Sequence, residues 1–207
     1  MIDVIFLSLV VSGSATVLAG IVAIPAGIFL SLREFRFKRV VIWILNTFLA
    51  VPAVLIGLVV YMFLSRKGPA GPLGLLYTPY AMMIAQAILA TPIICALSLS
   101  AIKSLAKETS ETARALGADT GQVVITIIKQ GRFAFLSAVI MGFSRVIGET
   151  GMTLMVGGNI KGFTRVMTTT IALETTKGNF ETGIALGIVL FFVAVIINVF
   201  FQLLQGE

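Results

Sequence analysis

Arg145 and Glu149 are the side chains best placed to do chemistry in this sequence, because they stand four residues apart inside the apolar stretch 133–156, FAFLSAVIMGFSRVIGETGMTLMV. Near the middle of a bilayer each unpaired charge costs about 2.5 to 3.5 kcal/mol on insertion scales, so neither can face lipid. At i, i+4 on a helix the two share a face and can pair. Two roles are open to them. They can lock helix packing, in a stretch where Ser137, Gly142, Ser144, Gly148 and Gly151 let another helix or a second copy come close. Alternatively, Arg145 presents positive potential to a passing anion while Glu149 holds it in place. Other chemistry is scarce. The chain has no His and a single Cys, Cys95, which excludes imidazole acid–base work, Cys/His zinc sites and an internal disulfide. It has no Gly-Lys dipeptide, so the phosphate-cradling loop that ends in Gly-Lys-Ser or Gly-Lys-Thr is missing and ATP hydrolysis must belong to another polypeptide. No catalytic residue, metal ligand or bound cofactor is expected in this chain.

The elements that must hold the charged pair are membrane helices. Of 207 residues, 58% are hydrophobic and only 12% charged, and mean hydropathy is +1.07, far from the composition of a soluble domain. The formal charge of +6 is then loop charge that orients the chain in a bilayer, and nucleic acid is not a partner. About 20 apolar residues are needed to cross the hydrocarbon. Five stretches suffice, at about 5–30, 40–64, 79–102, 133–156 and 182–204, within a single transmembrane domain spanning 1–207. An odd number of spans puts the termini on opposite sides. Arg33, Arg36, Lys38 and Arg39 in the first link, with Lys103, Lys107, Arg114, Lys129 and Arg132 in the third, outweigh Arg66, Lys67, Lys161, Arg165 and Lys177 on the other side. The positive-inside rule therefore places the N-terminus outside and the C-terminus in the cytoplasm of a multi-pass cell-membrane protein. Gly13, Gly20 and Gly27 share one helix face open to close backbone approach, and Pro25, Pro52 and Pro92 should each break or bend a span.

The strongest local signal is the loop 103–132. Ile102, Leu105, Thr109, Ala113 and Leu116 recur at helical steps. Gly117 stands where a left-handed C-cap would stop that helix, and Asp119 with Gln122 has the spacing of a capping box that opens a second one. A helix, a tight turn and a helix would make a rigid elbow between the third and fourth spans, able to dock into a groove on a cytosolic partner and transmit its motion.

Within this loop, ETARALG at 111–117, followed after nine residues by Ile127, resembles the cytoplasmic loop of binding-protein-dependent ABC importer membrane subunits. Their pattern is Glu-Ala-Ala, three residues, Gly, nine residues, Ile, any residue, Leu-Pro. Glu111, Ala113, Gly117 and Ile127 match; Thr112 replaces an alanine, and Lys129 and Gln130 replace the Leu-Pro. The segments at 35–79, 85–93 and 157–180 extend the likeness over nearly the whole chain and make it similar to the tungstate-uptake permeases of that family. The resemblance implies an all-α integral membrane fold of the type I importer class: five transmembrane helices and a helix-turn-helix coupling loop. It further implies a homodimer, two cytosolic subunits that bind ATP and Mg, and an extracytoplasmic oxyanion-binding protein. Glu111, Ala113, Gly117 and Ile127 become the ATPase-coupling residues. Arg145, Glu149, Thr168 and Thr169 become candidates for the substrate path, since threonine hydroxyls offer hydrogen bonds to a tetrahedral oxyanion without trapping it. Tungstate, molybdate and sulfate are dianions alike in shape and charge, so physics alone does not separate them; a molybdate, sulfate or phosphate permease of the same class is the alternative. An ATP-independent secondary transporter is the remote alternative, and it would want more intramembrane acids than Glu149.

Overall fold

The computed structural model describes residues 1–205, and among them the regular structure is entirely helical. Three helices carry a stretch long and apolar enough to cross a membrane: α1 (Ile2–Leu32), α4 (Pro79–Ala115, its apolar part Pro79–Ala106) and α9 (Phe180–Gln205). Two bent pairs bring the number of spans to as many as five. One is α2 (Lys38–Leu49) with α3 (Ala53–Leu64); the other is α5 (Thr120–Gln130) with α6 (Arg132–Ile147). The short α7 (Gly151–Gly157) and α8 (Met167–Thr176) complete the set.

The core forms where α1 lies along α4. On α1 the buried positions Ser8, Val11, Ser12, Ala15, Thr16, Ala19, Gly20, Ala23, Gly27 and Leu30 fall at three- and four-residue steps, and α4 answers with Ala81, Ala85 and Ala90. Small side chains allow the backbones to approach, which is how helices gain dispersion contacts when lipid tails are as apolar as they are. The three glycines expected on one close-contact face of α1 do not behave alike. A Cβ on Gly27 would lie 2.8 Å from the Cys95 carbonyl oxygen and 2.8 Å from the Ser98 Cβ, whereas one on Gly13 would meet nothing within 4 Å. Gly27→Ala is therefore expected to push α1 off α4 and cost about 1–3 kcal/mol, with Gly13→Ala silent. Thermal denaturation of the two variants checks this, and equal melting would refute the close contact.

The three prolines do not behave alike. Pro25 and Pro92 stay inside continuous helices. Pro52 does break the chain: α2 and α3 meet at 101°, so 40–64 is not one straight span. Proline bars its predecessor from the helical region, and α2 buries no residue that could hold it in line with α3.

The third span is longer than its apolar stretch. At 37 residues α4 is about 55 Å long, well over the roughly 30 Å of hydrocarbon. The first arm of the expected elbow is thus the uninterrupted end of a spanning helix. The stretch 133–156 is not one helix: it divides into α6 and α7, interrupted at 148–150.

Candidate functional site

The elbow is built from local rules that all agree. At the end of α4, Gly117 adopts φ +83°. Its N–H donates to the Arg114 carbonyl at 3.0 Å, and the Ala118 N–H donates to the Ala113 carbonyl at 3.0 Å. This is a Schellman termination, with the left-handed residue supplied by the amino acid that lacks a Cβ. Two residues on, Asp119 Oδ1 accepts from the Gln122 N–H and the Asp119 N–H donates to Gln122 Oε1, each at 2.9 Å, which satisfies free donors at the start of α5. On the inner face Ile102, Val123, Ile127 and Phe135 form a small core of their own, with Ala113 and Ala118 packed against it. The Thr109 hydroxyl donates to Gln130 Oε1 and ties the end of α5 back to α4.

Of the four elbow residues singled out by sequence, Ile127 is buried in that small core, Ala113 is half-buried against it, and Glu111 and Gly117 are exposed. Ile127 and Ala113 shape the elbow from within; only Glu111 and the Gly117 turn present themselves outward. Leu116, expected on the apolar stripe, is instead 84% exposed at the C-cap of α4. A groove of about 590 Å³ runs between the two arms, lined by Glu108, Thr109, Thr112, Leu116, Thr126 and Gln130 among others.

The charged pair sits at the interruption of the fourth span. Arg145 Nη1 and Glu149 Oε2 are 3.0 Å apart, with the arginine side chain 43% exposed and the glutamate 11%. The other Glu149 oxygen accepts from the Met152 N–H at 3.3 Å, so this one carboxylate both neutralises Arg145 and caps the first turn of α7. The Glu149 carbonyl, left without a helical partner by the break, accepts from the Thr168 hydroxyl at 3.1 Å. Spacing alone revealed the ion pair. The Glu149 cap on Met152 is local, whereas the bond from Thr168 and the close approach of Gly57 of α3, where a Cβ would stand 3.0 Å from Met152 Cα, are tertiary.

Thr168 and Thr169 are buried and engaged. Thr168 braces the Glu149 carbonyl; the Thr169 hydroxyl accepts from the Val166 N–H at 3.0 Å and donates to the Val166 carbonyl at 3.1 Å. Neither hydroxyl presents itself on an open surface of the single chain. The loop before α8 is equally tied down: Arg165 donates to the side chain and backbone of Asn159, both at 3.2 Å. No group of three or more His, Cys, Asp or Glu that could hold a metal occurs among the described residues.

Comparison with known proteins places this geometry. Residues 23–206 match the family model described as binding-protein-dependent transport system inner membrane component. The tungstate uptake system permease protein TupB of Peptoclostridium acidaminophilum is 45% identical over 204 residues, 99% of this chain and 90% of the relative. The protein of the same name from Campylobacter jejuni is 41% identical over 165 residues, 80% of this chain and 69% of the relative. A solved structure of the MetNI methionine ABC transporter in inward-facing conformations contains a chain that superposes with a TM-score of 0.83. It is 16% identical in sequence, and the match covers 100% of this chain and 94% of that one; at that identity the likeness concerns the fold. A nearly full-length family match, two long relatives and a shared fold agree: this chain belongs to the binding-protein-dependent inner membrane components, the permease subunits of ABC transporters.

Proposed function

We propose that the chain is the permease of an ATP-driven oxyanion importer and that its cargo is tungstate, working as a homodimer with two ATPase subunits docked on its elbows. The observation that carries the mechanical part is the unbroken α4, whose far end is the first arm of the elbow. A helix that long moves as a rod, so a displacement imposed at Glu111 and Gly117 reaches the packed interior, where α4 contacts α1, α6 and α7. Glu111 offers an exposed charge to the partner; Gly117, Ala113 and Ile127 fix the angle at which it is offered. ATP and Mg bind to the partner subunit, and the oxyanion arrives from an extracytoplasmic binding protein. The N-terminus lies outside and the elbow in the cytoplasm, in line with the nine basic residues of the first and third links.

The cargo reading is supported by the relatives named for tungstate uptake. Arg145 suits any such dianion: its guanidinium is partly exposed while Glu149 is held by α7, so a dimer that encloses this face would line it with paired, readily displaced positive charge. The test is reconstitution with the cognate ATPase and binding protein. A two-to-two complex and uptake of tungstate that requires ATP are expected, with molybdate and sulfate as competitors. Uptake without nucleotide, or an elbow reached by membrane-impermeant crosslinkers from the exterior, would refute the proposal.

A further inference from the structure

A second group of polar side chains lies away from the charged pair and the elbow, where the end of α3 meets the segment leading into α4. A cavity of about 470 Å³ opens there, lined by Tyr61, Ser65, Arg66, Gly74, Leu76 and Tyr77 among others, with no carboxylate in its wall. Arg66 makes no ion pair among the described residues. The Tyr77 hydroxyl lies 3.5 Å from that of Tyr61 and donates to it. This hydrogen bond, followed by partial burial, raises the Tyr77 phenol above its ordinary value and leaves the Tyr61 proton free for a ligand.

The geometry is held against resistance. Tyr77 adopts φ +63°, a left-handed conformation that is uncommon for a bulky residue. It is kept there by its N–H, which donates to the Val156 carbonyl at 2.9 Å. On the far side the ring lies against Gly158, where any Cβ would come within 2.8 Å of Tyr77 Cδ1. Strained backbone persists where the surroundings over-determine it, and such places gather at binding sites. Here the clamp comes from the end of α7, the same short helix that Glu149 caps at its beginning.

We infer that this cavity is a subsite for a tetrahedral oxyanion at the outer mouth of the permease, with Arg66 as counter-charge and the Tyr61 hydroxyl as donor. A guanidinium fork and a phenol match two edges of a tetrahedral dianion, and a single exposed cation holds it weakly enough to let it go. The inference rests on the oxyanion reading above for its cargo and for the side it faces.

Equilibrium dialysis of the purified permease–ATPase complex against tungstate, in uncharged detergent and without binding protein or nucleotide, tests it. One weak site per permease chain is expected. Arg66→Gln should weaken it about tenfold or more and Tyr61→Phe severalfold, with Arg66→Lys retaining part of the affinity. Binding unchanged in Arg66→Gln overturns the subsite. Repeating the dialysis in nanodiscs separates a free oxyanion from a lipid headgroup. Binding retained with both phosphatidylcholine and phosphatidylglycerol supports the free anion, and loss confined to phosphatidylglycerol overturns it in favour of the headgroup. ATP-driven uptake by the wild-type complex with its binding protein is scored in parallel. If wild-type uptake of tungstate is present while Arg66→Gln binds normally, the subsite alone fails; if wild-type uptake is absent, the proposed function fails.

Discussion

Replacing Gly117 by proline should leave the assembled complex hydrolysing ATP while tungstate uptake collapses. The turn needs φ +83° at this residue, which the proline ring cannot adopt, and it needs the N–H that donates to the Arg114 carbonyl, which proline lacks. Forcing the turn to refold costs about 3 kcal/mol or more, roughly a hundredfold in the population of elbows that keep their native angle. No Cβ at position 117 would meet another atom within 4 Å, so the damage is conformational and confined to the hinge between α4 and α5. Gly117→Ala is the graded control: a left-handed alanine costs about 1–2 kcal/mol, and uptake should fall partially. The measurement is the ratio of anion transported to ATP hydrolysed in proteoliposomes, with circular dichroism to establish that the helices remain. Full uptake in Gly117→Pro would show that the elbow angle plays no part in coupling.

That elbow was also the most legible part of the sequence. Its signals are short-range: a glycine at the C′ position, an aspartate and a glutamine three residues apart, apolar residues at helical steps. Each fixes backbone within a turn or two, whatever the rest of the protein does. Ile127 could be marked as part of the elbow, though its burial beside Ile102 and Phe135 depends on how α5 folds back. The prolines teach the opposite lesson. Pro25, Pro52 and Pro92 have the same local chemistry, yet only Pro52 breaks its helix, because only there does the flanking segment lack buried contacts to hold it straight. Thr168 and Thr169 show the same dependence on distant backbone. Hydroxyls in an outer loop read as available donors, but the interrupted fourth span left a carbonyl at Glu149 needing a partner, and Thr168 answers it. Where the sequence underdetermined the structure, the missing information was which backbone groups a distant break would leave unpaired.

The same break decides what Arg145 and Glu149 do, and substitutions can separate their roles. Glu149→Ala should impair the fold itself. It strands Arg145 without its partner at 3.0 Å, costing about 2.5 to 3.5 kcal/mol if the site is at mid-membrane, and removes the acceptor from the Met152 N–H, about 1 kcal/mol more for a lost cap. Low yield and dissociation of the complex are the expected result. Arg145→Gln should behave differently. Glutamine keeps a donor for Glu149, the capping bond to α7 is untouched, and the partly exposed position tolerates a shorter polar side chain. The complex should therefore assemble, melt within a few degrees of wild type and hydrolyse ATP, yet transport tungstate at least about tenfold more slowly, because the positive potential that the proposed path relies on is gone. The double substitution Arg145→Gln with Glu149→Gln settles which role dominates. With both charges removed the desolvation cost disappears, so assembly should recover relative to Glu149→Ala while transport stays low. If transport recovers along with assembly, the pair is a packing lock and nothing more, and the anion must be guided past the break by other residues.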